Sequence, residues 1–288
     1  MTEEQDTIIK KYIQELQAEE QEKRIQAAIA LGEIGDEQVV TPLINALSHQ
    51  DADTRREAAR ALKEIGNERA VSPLIAVLKK EPSLEVRAEI IYDLAYFSKA
   101  EKTAFDLLIK QLEDDHYLIR QNAIFALGRI SRRKGVRYLI QALQTDTNYN
   151  VREMAAWALG EINDKRTVDP LISALNDDHI AVRKKAAYAL GVKEITEAEN
   201  KLKELLFTER EPTEIAWALT KILKKKEAIR ILGRAFRRKK RENRPRDCFA
   251  IGHMLFQLAP KIGKELLQDL LDEEDFAAIH AEIKELFL

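Results

Sequence analysis

The sequence predicts an all-α protein, an α-solenoid (superhelix) of stacked antiparallel helix pairs. An arginine followed by an apolar helical pattern recurs at intervals of 31–33 residues, and a fixed period of this size indicates a stack of two-helix units. The composition agrees, because 45% hydrophobic and 33% charged residues are typical of a folded helical chain. The recurring arginines are Arg24, Arg55, Arg87, Arg120, Arg152 and Arg183.

The N-terminal segment, residues 1–21, is predicted to be a capping helix. It is polar and acidic, but Ile9, Ile13 and Leu16 recur in it at helical spacing. A repeat array needs such an element, since no neighbouring repeat covers the apolar face of its first unit.

Residues 22–192 are predicted to hold the repeats, each made of two helices. The first helix carries a proline in its opening turn, as at Pro42 and Pro73, where no intrahelical hydrogen bond is lost. The second helix begins near the arginine and is expected to end at a glycine, which adopts the left-handed C-cap conformation at low cost. These glycines are Gly35, Gly66 and Gly128.

The second helices share an apolar face, which predicts the core. At about 100° per residue, positions 3, 4 and 7 after each arginine fall on one side of the helix and hold mostly Ala, Ala and Leu. Positions 1, 2, 5 and 9 lie away from these columns and vary, as expected of an exposed face. The core columns are Ala27, Ala28, Leu31, Ala58, Ala59, Leu62, Ile90, Ile91, Leu94, Ala123, Ile124, Leu127, Ala155, Ala156, Leu159, Ala186, Ala187 and Leu190.

The repeat pattern resembles a known family. It reads Asp-x-x-x-x-Arg-x-x-Ala-Ala-x-Ala-Leu-Gly-x-Ile, followed by x-x-Val-x-Pro-Leu-Ile-x-Ala-Leu, with the Asp–Arg pair present at Asp115–Arg120 and Asp178–Arg183. It is similar to the HEAT-like repeats of the phycobilisome-lyase type (bilin lyase E/F-like repeats) over roughly residues 22–192. The resemblance implies a right-handed superhelix whose arginine-bearing helices line the concave side.

The same resemblance implies a class of activity. Proteins of this type attach or remove an open-chain bilin on a cysteine of a phycobiliprotein, usually together with a second HEAT-like subunit. The repeat also occurs in many proteins that bind no pigment, so a shared repeat transfers the fold more readily than the activity.

Residues 193–288 are predicted to be divergent repeats and a C-terminal helical cap in the same solenoid. Pro212 stands where the arginine is expected, yet Ile215, Ala216 and Leu219 continue the core columns.

An aromatic column at position 5 after the arginine predicts a partner-binding groove. Five consecutive repeats place a large ring there, away from the core columns, and aromatic and arginine side chains dominate contact surfaces. The alternative is that the rings only pack between neighbouring helices. Each ring should then be nearly buried, whereas a binding face should leave at least three rings substantially exposed. The predicted partner-binding residues are Tyr92, Tyr96, Phe125, Arg129, Met154, Trp157, Tyr188 and Trp217.

A basic segment, residues 221–246, is a candidate for anion or nucleic-acid binding. The alternative is a solvated helix end that pairs with acidic residues elsewhere, such as the run from Asp272 to Asp275. The segment lacks the interleaved aromatic residues of single-strand binding platforms, which favours the alternative. The candidate anion-binding residues are Arg234, Arg237, Arg238, Lys239, Lys240 and Arg241.

The sequence offers little catalytic chemistry. No two of its five histidines share a close helical face, and Cys248 and His253 are a poor nucleophile–base pair at about 140° around a helix. We therefore predict no catalytic residue and no metal site. The repeated arginines are expected to be structural, bonding the carbonyl groups of the turn and the aspartate that precedes them.

Taken together, these features predict a non-catalytic scaffold that binds another protein in a concave groove. A bilin lyase-like or chaperone-like protein acting on a bilin-bearing phycobiliprotein is the alternative, with bilin as its ligand, and nucleic-acid binding through residues 221–246 is a weaker one. No cofactor is otherwise expected. A net charge of −2 gives no general attraction to nucleic acid or membrane, and no run reaches the roughly 20 apolar residues of a membrane helix. The single cysteine favours a cytoplasmic location.

Overall fold

The protein is built from helical hairpins. A computed structural model describes residues 3–130 and 132–287, and these residues form eighteen α-helices, a few short 3-10 turns and no β-strand. The predicted all-α solenoid of stacked helix pairs is confirmed. The proposed division at residues 21 and 192 stays a prediction.

The chain divides into two compact units, one up to Ala158 and one from Leu159 onward. In the first unit each odd-numbered helix is followed by an even-numbered partner, and successive even-numbered helices pack on one another. Its helices are α1 (Glu3–Glu15), α2 (Gln21–Ile34), α3 (Val40–Ala46), α4 (Ala52–Ile65), α5 (Val71–Leu78), α6 (Leu84–Leu94), α7 (Ala100–Gln111), α8 (Tyr117–Ile130), α9 (Arg132–Thr145) and most of α10 (Tyr149–Glu161).

The second unit continues the same arrangement of hairpins. Helices α12 and α14 pack together, and α16 packs against α14, α15 and α17. After the end of α10, its helices are α11 (Val168–Ala174), α12 (Ile180–Val192), α13 (Glu199–Thr208), α14 (Thr213–Ile222), α15 (Lys225–Arg241), α16 (Pro245–Leu258), α17 (Pro260–Gln268) and α18 (His280–Leu286).

The predicted core columns are confirmed. All eighteen residues of the Ala, Ala and Leu columns are fully buried, and so are Ile215, Ala216 and Leu219, which continue the pattern past Pro212. Burial of these apolar side chains stabilises the stack by roughly 25 cal/mol per Å² of surface removed from water. The repeat architecture therefore extends beyond the last arginine.

The glycines play two different roles. Gly35 and Gly66 have φ angles of 69° and 70° and end α2 and α4 in the left-handed conformation, as predicted. The prediction for Gly128 is wrong, because this residue lies inside α8. A Cβ atom there would sit 2.8 Å from the Cβ of Ala158, so Gly128 is needed for close approach of α8 and α10.

The recurring arginines connect successive turns. In Arg120, Nη1 donates to the carbonyl oxygens of Asp114 and Asp115 in the turn before α8, at 2.9 and 3.0 Å. Its Nε and Nη2 donate to both carboxylate oxygens of Asp146, at 2.8 and 2.9 Å, in the turn before α10. Arg55 pairs in the same bidentate way with Glu81.

This geometry corrects one detail of the sequence-based prediction. The bonds to turn carbonyls are confirmed in Arg55 and Arg120, but the carboxylates that pair with these two arginines belong to the following turn, 26 residues further along the chain. Asp115 contributes only its carbonyl oxygen to Arg120. Each pair therefore joins one repeat to the next.

Candidate partner-binding surface

The predicted aromatic column forms two ring stacks, one in each unit. The first stack consists of Tyr92 on α6, Phe125 on α8 and Trp157 on α10. Phe125 is stacked on Tyr92 with ring centroids 5.0 Å apart and planes 13° from parallel, and on Trp157 at 5.4 Å and 20°. The rings come from successive even-numbered helices, so each repeat adds one layer.

Tyr96 lies beside the first stack. Its ring is 5.3 Å from that of Tyr92, and the two phenol oxygens are 2.6 Å apart and hydrogen-bonded. The guanidinium of Arg129 lies 5.0 Å from the Tyr96 ring centroid and 5.9 Å from that of Phe125. The predicted residues Tyr92, Tyr96, Phe125, Arg129 and Trp157 are thus brought together.

The second stack consists of Tyr188 on α12 and Trp217 on α14. Their ring centroids are 4.9 Å apart and the planes lie 20° from parallel. The ammonium group of Lys221, one turn further along α14, lies 5.3 Å from the Trp217 ring centroid. Met154 lies half-buried on α10.

The exposure of the rings lies between the values expected for rings that only pack between helices and for rings that form a binding face. Tyr96 and Tyr188 are exposed, at 45% and 40%, and the other rings of the column are half-buried. Two rings rather than three are therefore substantially exposed, and none is buried as a core ring would be. Phe97, one residue after Tyr96, shows the contrast because it is only 1% exposed. The rings pack between repeats and also present part of their surface to solvent.

Two charged residues beneath the first stack were missed by the sequence-based prediction. Lys63 on α4 places its ammonium 5.6 Å from the Tyr92 ring centroid and 5.7 Å from that of Tyr96. The same ammonium lies 3.5 Å from the carboxylate of Asp93 on α6. A signal was present, since Lys63 and Asp93 stand at positions that hold glycine and alanine in most other repeats.

Asp93 is a buried carboxyl group with an unusual proton affinity. Its side chain is fully buried and neither carboxylate oxygen accepts a hydrogen bond among the described residues. Burial raises its pKa to about 8, and the neighbouring Glu89 adds to the rise, while Lys63 opposes it. The carboxyl group is therefore largely protonated at neutral pH.

Some side chains of the basic segment make hydrogen bonds and ion pairs within the protein. The assignment of Lys239 to anion binding is wrong, because this residue is fully buried and its ammonium donates to the carbonyl oxygens of Phe207 and Glu209 at 3.1 and 2.8 Å. Burial lowers the pKa of Lys239. Lys240 pairs with Glu273 at 2.6 Å, inside the acidic run, as the structural alternative predicted.

The remaining candidates of this segment lie on the surface of α15. Arg238 pairs with Glu242 at 2.7 Å, one helical turn away. Arg234, Arg237 and Arg241 are exposed and make no ion pair within the described part of the chain. Anion binding by these three stays a prediction.

The cysteine and histidines occupy structural positions. Cys248 is fully buried, and burial raises the pKa of its thiol to about 12, so the nucleophilic thiolate is not formed near neutral pH. Nδ1 of His116 and Nδ1 of His179 accept hydrogen bonds from backbone amides at the starts of α8 and α12. Among residues 3–130 and 132–287, no group of three His, Cys, Asp or Glu side chains is arranged to hold a metal ion. In the same ranges no helix is long and apolar enough to cross a membrane.

Comparison with known proteins identifies the repeats. The family model for HEAT repeats matches residues 9–95, 71–145, 105–191 and 136–222, which together make up well over half of the chain. This chain is a HEAT-repeat protein. A search of curated proteins finds no match.

Solved structures agree with this assignment at the level of the fold. YibA of Escherichia coli has 21% identity and a TM-score of 0.59, with 86% of this chain and 91% of that chain covered. The CpcE–CpcF complex of phycocyanin lyase from Nostoc sp. PCC7120 has 22% identity and a TM-score of 0.51, with 87% and 94% covered. Importin beta has 16% identity and a TM-score of 0.61, and the match covers 92% of this chain but 43% of importin beta. The resemblance to lyase-type HEAT-like repeats is thus supported as a resemblance of fold.

Proposed function

We propose that this HEAT-repeat protein is a non-catalytic scaffold that binds a partner protein through its ring stacks, of which each unit carries one. The observation that supports this proposal is the partial exposure of the large rings that consecutive repeats place at one position. Rings that served only the core would be buried like Phe97. Large rings bury much area for little side-chain entropy, which suits a contact surface.

The stacking also explains why such exposed rings are tolerated in the free protein. Phe125 is held between Tyr92 and Trp157, so its position is fixed before any partner arrives. A fixed side chain loses little entropy on binding, and this pre-organisation raises affinity. The rings therefore stabilise the repeat stack and prepare its surface for contact.

The test compares exposed tyrosines at the ring stacks with an exposed tyrosine away from them. Proteins bound from a lysate of the native host are quantified for the wild type and for Tyr96→Ala and Tyr188→Ala. Tyr117→Ala is the matched control, because Tyr117 is 39% exposed and lies at the start of α8, outside both stacks. We expect the same partner to be lost with Tyr96→Ala or Tyr188→Ala and kept with Tyr117→Ala.

Stability of each variant is measured alongside, by thermal unfolding. The proposal fails if both stack variants keep the partner, or if loss of the partner follows loss of folding in all three. Trp157→Ala adds a second readout, since removing a half-buried stacked ring should also lower stability by up to about 3 kcal/mol.

A bilin lyase-like or chaperone-like role remains the alternative proposal. The likeness in fold to the CpcE–CpcF complex favours testing it. The absorbance spectrum of the purified protein is recorded with and without an added open-chain bilin. A changed spectrum that is lost in the Trp157→Ala variant would support a pigment site on the first stack, and an unchanged spectrum would count against this role. A cytoplasmic location stays a prediction from the single cysteine.

A further inference from the structure

We infer that the partner is acidic where it docks on each ring stack, and that it presents aspartate or glutamate side chains to Arg129 at the first stack and to Lys221 at the second. This inference rests on the proposed function and adds the chemistry of the partner. It follows from which surfaces of the rings remain available and from which nearby cations are still unpaired.

Each stacked ring has at least one face covered by a neighbouring ring. Phe125 lies between Tyr92 of the preceding even-numbered helix and Trp157 of the following one. Tyr92 is stacked on Phe125 and has the Lys63 ammonium, from the preceding helix α4, over its ring. Trp217 has Tyr188 on one side and the Lys221 ammonium over the ring. Tyr92, Phe125 and Trp217 therefore offer mainly their edges to a ligand.

Ring edges select the charge of the ligand. The quadrupole of an aromatic ring places negative charge on its faces and positive charge at its edge. A cation, such as a lysine or a quaternary ammonium group, needs a free face, and a nucleic-acid base needs a free face to stack on. An edge instead attracts carboxylate and carbonyl oxygens. The stacks are thus suited to an electron-rich partner.

Each stack also carries a cation that makes no ion pair with a carboxylate among the described residues. Arg129 is exposed and, among the described residues, contacts only the rings of Tyr96 and Phe125. Lys221 is exposed and, in the same described ranges, contacts only the ring of Trp217. The contrast with the paired arginines Arg55 and Arg120 is clear. A guanidinium that contacts only aromatic rings keeps its N–H donors for bidentate binding of a carboxylate.

The carboxylates near the two stacks do not cancel the preference for an acidic partner. Asp93 is fully buried beneath Lys63, and burial keeps it largely protonated at neutral pH. Glu64 pairs with the same lysine at 3.2 Å. Glu89 is half-buried, and burial raises its pKa as well. In the second stack Glu214 pairs with Lys184 at 3.2 Å. Arg129 and Lys221 therefore remain the unpaired charges at the two stacks.

The first arm of the test selects ligands without assuming an identity. Short random peptides displayed on phage are selected on the full-length wild-type protein and sequenced. We expect Asp and Glu to be enriched, together with aromatic or aliphatic residues. Enrichment in Lys and Arg, or no enrichment in acidic residues, overturns the inference.

The second arm uses charge reversal. A selected acidic peptide is titrated by fluorescence polarisation against Arg129→Glu and Lys221→Glu, and we expect its affinity to fall on the order of tenfold or more, as for a contact hot spot. Arg234→Glu is the matched control, because Arg234 is also exposed and unpaired among the described residues but lies on α15. Equal loss in the control, or no loss in either stack variant, overturns the inference.

The third arm separates the inference from its rivals and from the proposed function. An oligo(dT) strand is titrated in the same assay; binding that is lost with Arg129→Glu would mean that phosphate groups are the ligand and would overturn the inference. If Tyr96→Ala and Tyr188→Ala abolish partner binding while the charge reversals leave it intact, the proposed function stands and the acidic partner does not. If neither set of changes affects binding, both fail.

Discussion

Two contacts between even-numbered helices of the first unit are built in opposite ways. Between α8 and α10, Gly128 meets Ala158, and a Cβ atom on the glycine would lie 2.8 Å from the alanine Cβ. Between α4 and α6 the corresponding positions hold Lys63 and Asp93, with the ammonium 3.5 Å from the buried carboxylate. The same repeat thus uses a small uncharged contact in one place and a buried charged contact in the other.

The difference shows how a repeat acquires a specific surface. The Gly–Ala contact sets the distance between helices and leaves the rings above it to stack on one another. The Lys–Asp contact brings an ammonium up beneath Tyr92 and Tyr96, where it closes one end of the first stack. This feature costs the desolvation of a carboxyl group, which an alanine would not incur.

The largest change in stability is expected from disrupting the uncharged contact between Gly128 and Ala158. Gly128→Leu places a bulky side chain where even a Cβ meets Ala158 at 2.8 Å, and overpacking of this kind should cost about 3 kcal/mol. Chemical denaturation measures the loss. Gly233→Ala is the control: a Cβ there meets only the Arg237 guanidinium, at 3.7 Å or more, so the change should be neutral or stabilising by up to about 1 kcal/mol. A tolerated Gly128→Leu would show that the helices can move apart freely.

Loss of an arginine–carboxylate pair should lower stability by a similar amount near the Lys63–Asp93 contact and near the Gly128–Ala158 contact. Arg55 pairs with Glu81 beside the charged contact, and Arg120 pairs with Asp146 beside the uncharged one. Replacing either by alanine leaves turn carbonyls and a carboxylate unpaired and should cost about 2 kcal/mol. Arg230→Ala, which removes an exposed arginine 3.6 Å from Glu227, should change stability by less than about 0.5 kcal/mol. Clearly unequal costs for Arg55 and Arg120 would mean that the regions differ in more than the helix contact.

Asp93 should make stability depend on pH. Below about pH 4 the carboxyl group is protonated in both the folded and the unfolded chain, so its titration does not change the free energy of unfolding there. Because its folded pKa is raised from 3.8 to about 8, the group ionises first in the unfolded chain. Stability should therefore fall as pH rises between about 4 and 8, by at most about 1.4 kcal/mol per pH unit, and level off above pH 8.

The measurement is thermal unfolding from pH 6 to pH 8 of the wild type and of Asp93→Asn, which keeps the shape and cannot ionise. The wild type should lose about 2 kcal/mol relative to Asp93→Asn over this range. Glu64→Gln is the control, since Glu64 contacts the same lysine at 3.2 Å but is exposed. Parallel curves for the wild type and Asp93→Asn would contradict the raised pKa.

The smallest effect is expected from converting the charged contact into an uncharged one. The double variant Lys63→Ala/Asp93→Ala removes the half-buried ammonium and the buried carboxyl group. It should be more stable than the wild type by about 1 kcal/mol at pH 8, because uncharged packing often matches or exceeds a buried polar pair. Lys63→Ala alone should be destabilised at this pH, since Asp93 then has no cation. If the double variant is less stable than either single one, the pair itself is stabilising.

Much of the architecture could be predicted from the sequence because it depends on local patterns that repeat. The arginine period and the Ala, Ala and Leu columns identify helix, face and core, and burial of these columns confirms them. The sequence-based prediction for Gly128 is wrong because a glycine near the end of a helical pattern usually indicates a C-cap. Only the position of Ala158 shows that Gly128 instead allows a close contact between two helices. Lys239 was misjudged because a lysine within a basic run reads as exposed, and the carbonyl groups that it binds lie about thirty residues earlier in the chain.

The sequence by itself determined the repeat, the buried face and the column of rings, since helical periodicity fixes which residues share a side of a helix. The tertiary structure decided which faces of those rings are occupied, which cations remain unpaired and how deeply Asp93 is buried. These properties depend on distances between residues about thirty positions apart, such as Lys63 and Asp93, or Tyr92 and Phe125. Such distances are set by the packing of neighbouring helices and not by the pattern within one of them.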